Sequence, residues 1–114
     1  MKNFKRFEVW LADLDPSFGT EPGKKRPVLI IQSDLLNKKH PSTIVCPVTS
    51  KIRKNAKILR VNIPKNSAGL NEDSAIMIDQ VRSVDNKRLL RKIGDLPETF
   101  HEKVTDNLKI IMDL

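Results

Sequence analysis

Ser74-Ala75-Ile76-Met77-Ile78-Asp79-Gln80-Val81-Arg82-Ser83-Val84 decides the fold class, together with the change of period that follows it. The stretch reads as one extended strand over 74–84, with a period of two marked at Met77, Asp79, Val81 and Ser83. Asp85 to Leu89 then reads as a short helical turn, and the chain is extended around Ile93. Asp95-Leu96-Pro97-Glu98 has the form of a helix start, with Asp95 as N-cap, Pro97 in the first turn and Glu98 three residues after the cap. From there Phe100, Val104, Leu108 and Ile111 recur at spacings of four, four and three, the apolar stripe of a helix packed on a core or an interface.

Four more strands are expected upstream. Phe7 to Leu14 is rich in strand-forming side chains and stops at Asp15-Pro16. Arg26 to Gln32 contains the run Val28-Leu29-Ile30-Ile31 of a strand buried on both faces. Thr43 to Ser50 is a third, with Pro47 pointing to a bulge or a sheet edge. Ile58 to Ile63 is a fourth, reached through a basic turn at Ile52 to Ala56. Ser17 to Lys25, Leu35 to Ser42 and Lys65 to Asp73 are polar connections. About five strands followed by one helix predict a mostly β, α+β domain: a small, largely antiparallel barrel or half-barrel with an attached C-terminal helix. The 114 residues make a single domain over 1–114.

The net charge of +7 is unevenly distributed. Residues 21 to 60 hold ten Lys and Arg against Glu21 and Asp34, and the rest of the chain is close to neutral. Screening beyond roughly 8–10 Å means that a polyanion is attracted by local density of this kind. The lone Cys46 excludes an internal disulfide and any multi-cysteine zinc site, and its apolar surroundings predict a buried, inert thiol. No apolar run reaches the length of a signal peptide or of the ~20-residue membrane span, so a cytoplasmic protein without membrane contact is expected.

Few residue patterns carry chemistry. His40 and His101 are not brought together by any pattern, the carboxylates form no metal-ligand spacing, and neither a phosphate-cradling glycine loop nor a nucleophile elbow is present. No cofactor or metal is expected. What remains is polar residues at strand ends. Pro27 restricts Arg26 to extended geometry at the mouth of a buried strand, and Thr49-Ser50 end another just before the basic turn. A guanidinium fork with a hydroxyl is a competent phosphate binder, while a plain surface position is the alternative for each.

Three spaced motifs now add a resemblance. Val9-Trp10-Leu11-Ala12-Asp13-Leu14-Asp15-Pro16 with Gly19-Thr20-Glu21 and Arg26-Pro27-Val28-Leu29-Ile30-Ile31-Gln32 is similar to the N-terminal signature of the MazF/PemK family. Val48-Thr49-Ser50 and Asp79-Gln80-Val81-Arg82-Ser83-Val84-Asp85 continue it. The family opens its first strand with Arg-Gly-Asp or Arg-Gly-Glu, whereas this chain has Arg6-Phe7-Glu8, which bears on the local backbone. The resemblance implies an SH3-like barrel of the MazF/CcdB-like kind, usually a homodimer, and a toxin neutralised by a cognate antitoxin. It implies metal-independent, sequence-specific cleavage of single-stranded RNA to a cyclic phosphate and a 5′-hydroxyl. Arg26 and Thr49 then look like the catalytic pair. Phe18, Thr20, Glu21 and Gln80 look like substrate contacts, and Ser50, Lys51, Arg53 and Lys54 are placed to meet the phosphates beside the cut. The rival readings are a gyrase-poisoning toxin on the same barrel and a non-catalytic nucleic-acid-binding barrel. The full Arg26-Pro27 and Thr49-Ser50 set favours the nuclease over the gyrase poison, and an acidic Glu21 in the loop next to Arg26 does not fit the passive binder, because a carboxylate repels phosphate.

Overall fold

A computed structural model describes residues 3–52 and 59–114. Among the described residues, seven strands precede one helix: β1 Glu8–Asp13, β2 Lys25–Ile30, β3 Ser42–Thr49, β4 Arg60–Ile63, β5 Ser74–Met77, β6 Arg82–Asp85, β7 Leu89–Asp95 and α1 His101–Met112. Every pairing is antiparallel, in the order β4-β5-β3-β2-β1-β7, with β6 also on β3. The mostly β class with a C-terminal helix is therefore as expected. The barrel is not closed, however: among the described residues the sheet stays open, with β4 and β7 at its ends. The basic turn expected over 52–56, and the start of the fourth strand at Ile58, lie outside the described residues apart from Ile52.

β3 is the spine. One edge takes β2 along Val45–Pro47. The other takes β6 along Ser42–Val45 and then β5 at Val48 and Thr49. Contrary to the expectation of an edge or a bulge, Pro47 is paired with Val28 in unbroken register. It is buried in a central strand, at the step where the second edge passes from β6 to β5 and a missing amide is tolerated.

The long strand expected over 74–84 is broken. Ile78–Gln80 forms a 3₁₀ turn after Met77, and this separates β5 from β6 so that each meets a different half of β3. Residues 74–78 are all buried, which no single alternating face would give. The short turn expected near 85–89 is present at Asn86–Arg88, where the Asp85 carboxylate accepts from Lys87 N at 2.8 Å.

Period-two alternation splits the apolar side chains of the central strands between two cores. Val9, Leu29, Cys46 and Val48 face α1, whose Val104 is buried with Phe100, Leu108 and Ile111 packed around it. The helical stripe thus serves as expected. Trp10, Ala12, Val28, Ile30 and Val45 face the other way, onto Phe4, Leu14, Val84 and Leu89. The helix begins later than its sequence signals imply. Asp95 is the last residue of β7, paired with Glu8 and bridged to Lys92 at 3.1 Å, and so does not cap α1. A 3₁₀ turn at Glu98–Phe100 leads into the helix instead.

Phe7 adopts the left-handed region, with φ 70°. A glycine reaches that region without strain, whereas a bulky side chain there costs on the order of 1–2 kcal/mol. The compensation is visible. The Phe7 ring stacks on His101 at 3.7 Å between centroids and 16° between planes, and Arg6 Cζ lies 4.4 Å from the same ring. Phe7 N donates to Ile30 O at 2.7 Å, and its carbonyl accepts from Leu96 N at 2.9 Å. Beside it, the buried Glu8 carboxylate accepts from Lys5 N and Trp10 Nε1, each at 3.0 Å, and pairs with Lys92 Nζ at 3.1 Å.

Candidate active site

The antiparallel register places Val28 opposite Pro47. Val28–Pro47 is the last pair of that register, and Arg26 and Thr49 each lie two residues beyond it on their strands. Both belong to the face that carries Val28 and Val45, by alternation along β2 and β3. Arg26 and Thr49 accordingly line one open cleft of about 650 Å³. Lys24, Lys25, Ser50 and Lys51 share its wall, and Asn71 and Glu72 form part of the opposite side. Four cations against one carboxylate make the cleft strongly cationic.

Local structure fixes both side chains while leaving their chemistry free. Arg26 Nε donates to Gly23 O at 2.9 Å, which orients the guanidinium and leaves both terminal nitrogens uncommitted in that bond. Thr49 Oγ1 accepts from Lys51 N at 3.1 Å, so the hydroxyl proton is available to a ligand. The loop that carries Gly23 is anchored at its base. Leu14 N donates to Lys24 O, Lys24 N to the Asp15 carboxylate, and Arg88 Nη1 to the carbonyls of Asp13 and Asp15 at 3.0 and 2.6 Å. A Cβ at Gly23 would sit 2.7 Å from both Asp15 Oδ1 and Ser17 Oγ, so a larger residue there requires those side chains to move. The far wall is positioned by a similar contact, because a Cβ at Gly94 of β7 would come within 2.6 Å of Ala68 O in the loop leading to Leu70 and Asn71.

The other expected site residues divide. Ser50 and Lys51 are in the cleft. Phe18 and Thr20 are at the exposed loop tip, where Phe18 is 85% accessible. Glu21 lies outside the cleft lining, with its carboxylate 3.4 Å from Arg82 Nη1 on β6. Gln80 is half-buried at the end of the 3₁₀ turn. Lys54, like Arg53, lies outside the described residues. The sequence reading gave no role to Asn71, Glu72 or Arg82. The first two come from a loop with no pattern of its own, and Arg82 from within a motif read for its neighbours. The histidines are apart, as expected: His40 contacts Ser42, and His101 contacts Phe7 and Leu96 O. The Cys46 thiol is buried and pushed up to about 12, by loss of solvation first and the Asp79 charge second, which fits the inert role expected for it.

An open antiparallel sheet with one C-terminal helix thus carries a cationic cleft between Arg26 on β2 and Thr49 on β3, and the comparisons with known proteins give the class. The chain belongs to the family of PemK-like, MazF-like toxins of type II toxin-antitoxin systems, which it matches over residues 5–112. It is 39% identical over 110 residues to Endoribonuclease EndoA of Bacillus subtilis, covering 96% of this chain and 95% of that protein. Its fold is similar to MazF of Deinococcus radiodurans, with a TM-score of 0.87, 21% identity and full coverage of both chains. A MazE-MazF complex from the same organism matches at a TM-score of 0.81 and 21% identity, over 100% of this chain and 99% of that one.

Proposed function

We propose that this chain is a single-domain endoribonuclease toxin, spanning 1–114, that cleaves single-stranded RNA at short sequences. Membership of the toxin family and the identity to an endoribonuclease support the reaction class. The observation that carries the reading is the meeting of Arg26 and Thr49 in one cationic cleft, each oriented by a backbone contact and each retaining donors.

The reaction breaks the P–O5′ bond as the ribose 2′-oxygen attacks phosphorus, giving a cyclic phosphate and a 5′-hydroxyl. The 2′-OH loses a proton, the phosphorane gains negative charge, and the leaving oxygen gains a proton. Arg26 donates to the phosphorane and supplies its charge, and the Thr49 hydroxyl donates to a non-bridging oxygen. Arg26 does not act as the base: its pKa above ~12 makes deprotonation at neutral pH cost on the order of 7 kcal/mol. The 2′-proton goes to a carboxylate or to the substrate itself. The candidate carboxylates are Glu21, in the loop ahead of Arg26, and Glu72, in the cleft lining. Phe18, Thr20, Gln80, Ser50, Lys51 and Lys54 hold the flanking nucleotides.

An antitoxin of acidic, partly disordered character folds onto the cleft and blocks it, and a MazE-MazF complex is among the solved structures of similar fold. The protein acts as a cytoplasmic homodimer. No described helix is long and apolar enough to cross a membrane. Incubation with a long single-stranded RNA in the presence of a chelator tests the reading. Discrete fragments ending in cyclic phosphate are expected, and intact RNA would sink it in favour of a gyrase poison or a passive binder.

A further inference from the structure

A second open hollow of about 520 Å³ lies at the other end of β3. Lys38, Lys39, His40 and Lys87 ring it, Phe4 and Asn86 lie against it, and no acidic side chain among the described residues lines it. The frame is fixed. Thr43 Oγ1 donates to Asn86 Oδ1 at 2.6 Å, Asn86 Nδ2 donates to His40 O at 2.8 Å, and Asn86 N donates to Pro41 O at 3.0 Å. This network ties the lysine-bearing turn to the turn that carries Lys87. Lys38 is itself in the left-handed region, with φ 77°, and the next two amides both return to Leu36 O, so the turn presents Lys38, Lys39 and His40 in succession.

The position of the hollow is what gives it meaning. Thr43, Val45, Pro47 and Thr49 share one face of β3 by alternation. Thr43, Val45 and Pro47 are buried, so the hollow, beside Thr43, and the candidate active site, at Thr49, open at opposite ends of that face, six residues apart, or about 20 Å at ~3.3 Å per residue. Arg82 stands between them, opposite Val45 and partly neutralised by Glu21.

We propose that this hollow is a second phosphate-binding station for single-stranded RNA, holding the backbone a few nucleotides from the cleaved bond. The identity of the strand rests on the ribonuclease reading above. Three ammonium groups with no carboxylate among them suit phosphate. Charge complementarity and a spacing of a few nucleotides from the cleft favour the same strand over a separate acidic protein partner.

The test uses the Lys38→Ala/Lys39→Ala/Lys87→Ala variant, with RNA affinity measured in an Arg26→Ala background. Three lost contacts at ~0.7 each lower the slope of log Kd against log salt by about 2 on a long single-stranded RNA. In the chain with Arg26 intact, turnover of the long RNA falls, while cleavage of a short RNA that fills only the cleft is unchanged. The matching Lys→Arg triple variant restores the slope. An unaltered slope overturns the proposal. So does an unaltered slope with lost binding of a polyglutamate peptide, which assigns the hollow to an acidic protein. If the wild-type chain cleaves neither RNA, the ribonuclease reading fails, and the slope still reports on the hollow.

Discussion

The start of β1 and the cleft at the far end of β2 are both rich in polar side chains, yet they spend their hydrogen bonds differently. At the β1 corner the bonds are consumed. Both Glu8 oxygens are engaged, and Phe7 is sandwiched between Arg6 and His101. In the cleft the two central side chains are each held by one backbone contact and still hold spare donors. The first arrangement stabilises the fold, and the second is available to a ligand. Saturation of hydrogen-bonding capacity separates the two more sharply than residue type does.

That contrast can be broken by mutation. Arg26→Ala is expected to lower kcat for RNA cleavage by at least ~10²–10³, the usual cost of removing a preorganised donor, with an unchanged Tm. Near-normal turnover would remove Arg26 from the chemistry. Thr49→Val, which keeps the shape and deletes the hydroxyl, is expected to cost roughly 10–10² in kcat, less than Arg26→Ala because no charge is lost. Glu8→Ala should do the reverse. It strands the buried Trp10 N–H and is expected to lower unfolding free energy by about 2 kcal/mol in denaturant titrations, with kcat preserved. Loss of kcat without loss of stability would erase the distinction between the two regions.

Phe7 sharpens the comparison further. Phe7→Ala keeps the left-handed backbone and loses the stack, whereas Phe7→Gly loses the stack but relieves the backbone. Both variants should be less stable than the natural chain, with the glycine variant the more stable of the two by about 1 kcal/mol. Equal stability would mean that the positive φ is not strained.

The smallest effect concerns acid. Arg6 N first and the Asn37 amide second hold the Asp34 carboxyl below its ordinary 3.8. A depressed carboxylate stabilises the fold above its unfolded pKa, and the contribution fades as pH falls through the lower folded value. Asp34→Asn should therefore slightly flatten the stability profile below about pH 4, by little because the group is exposed. A profile identical to the natural chain's would remove Asp34 from the acid response.

Much of this architecture was legible in local pattern. The cores of β1 to β3, the stripe of α1, the buried Cys46 and the placing of Arg26 and Thr49 at strand ends all follow from residue type and spacing. What was not legible came from pairing between distant segments. Asp95 has every local mark of an N-cap, but pairing of β1 with β7 claims it for a strand. Residues 74–84 look like one strand until the two halves of β3 demand separate partners. Glu72 reaches the cleft because the backbone near Gly94 lets its loop dock closely, a contact that no spacing encodes.

The register of β2 against β3 has a practical consequence. Each strand brings one half of the proposed phosphate clamp, and the connection between them passes through the exposed Leu35-Leu36 turn. A chain split at that turn is expected to give two harmless fragments, each with half of the scissor. Fusing those fragments to a pair of inducible dimerisation tags would make a toxin that a small molecule can switch on.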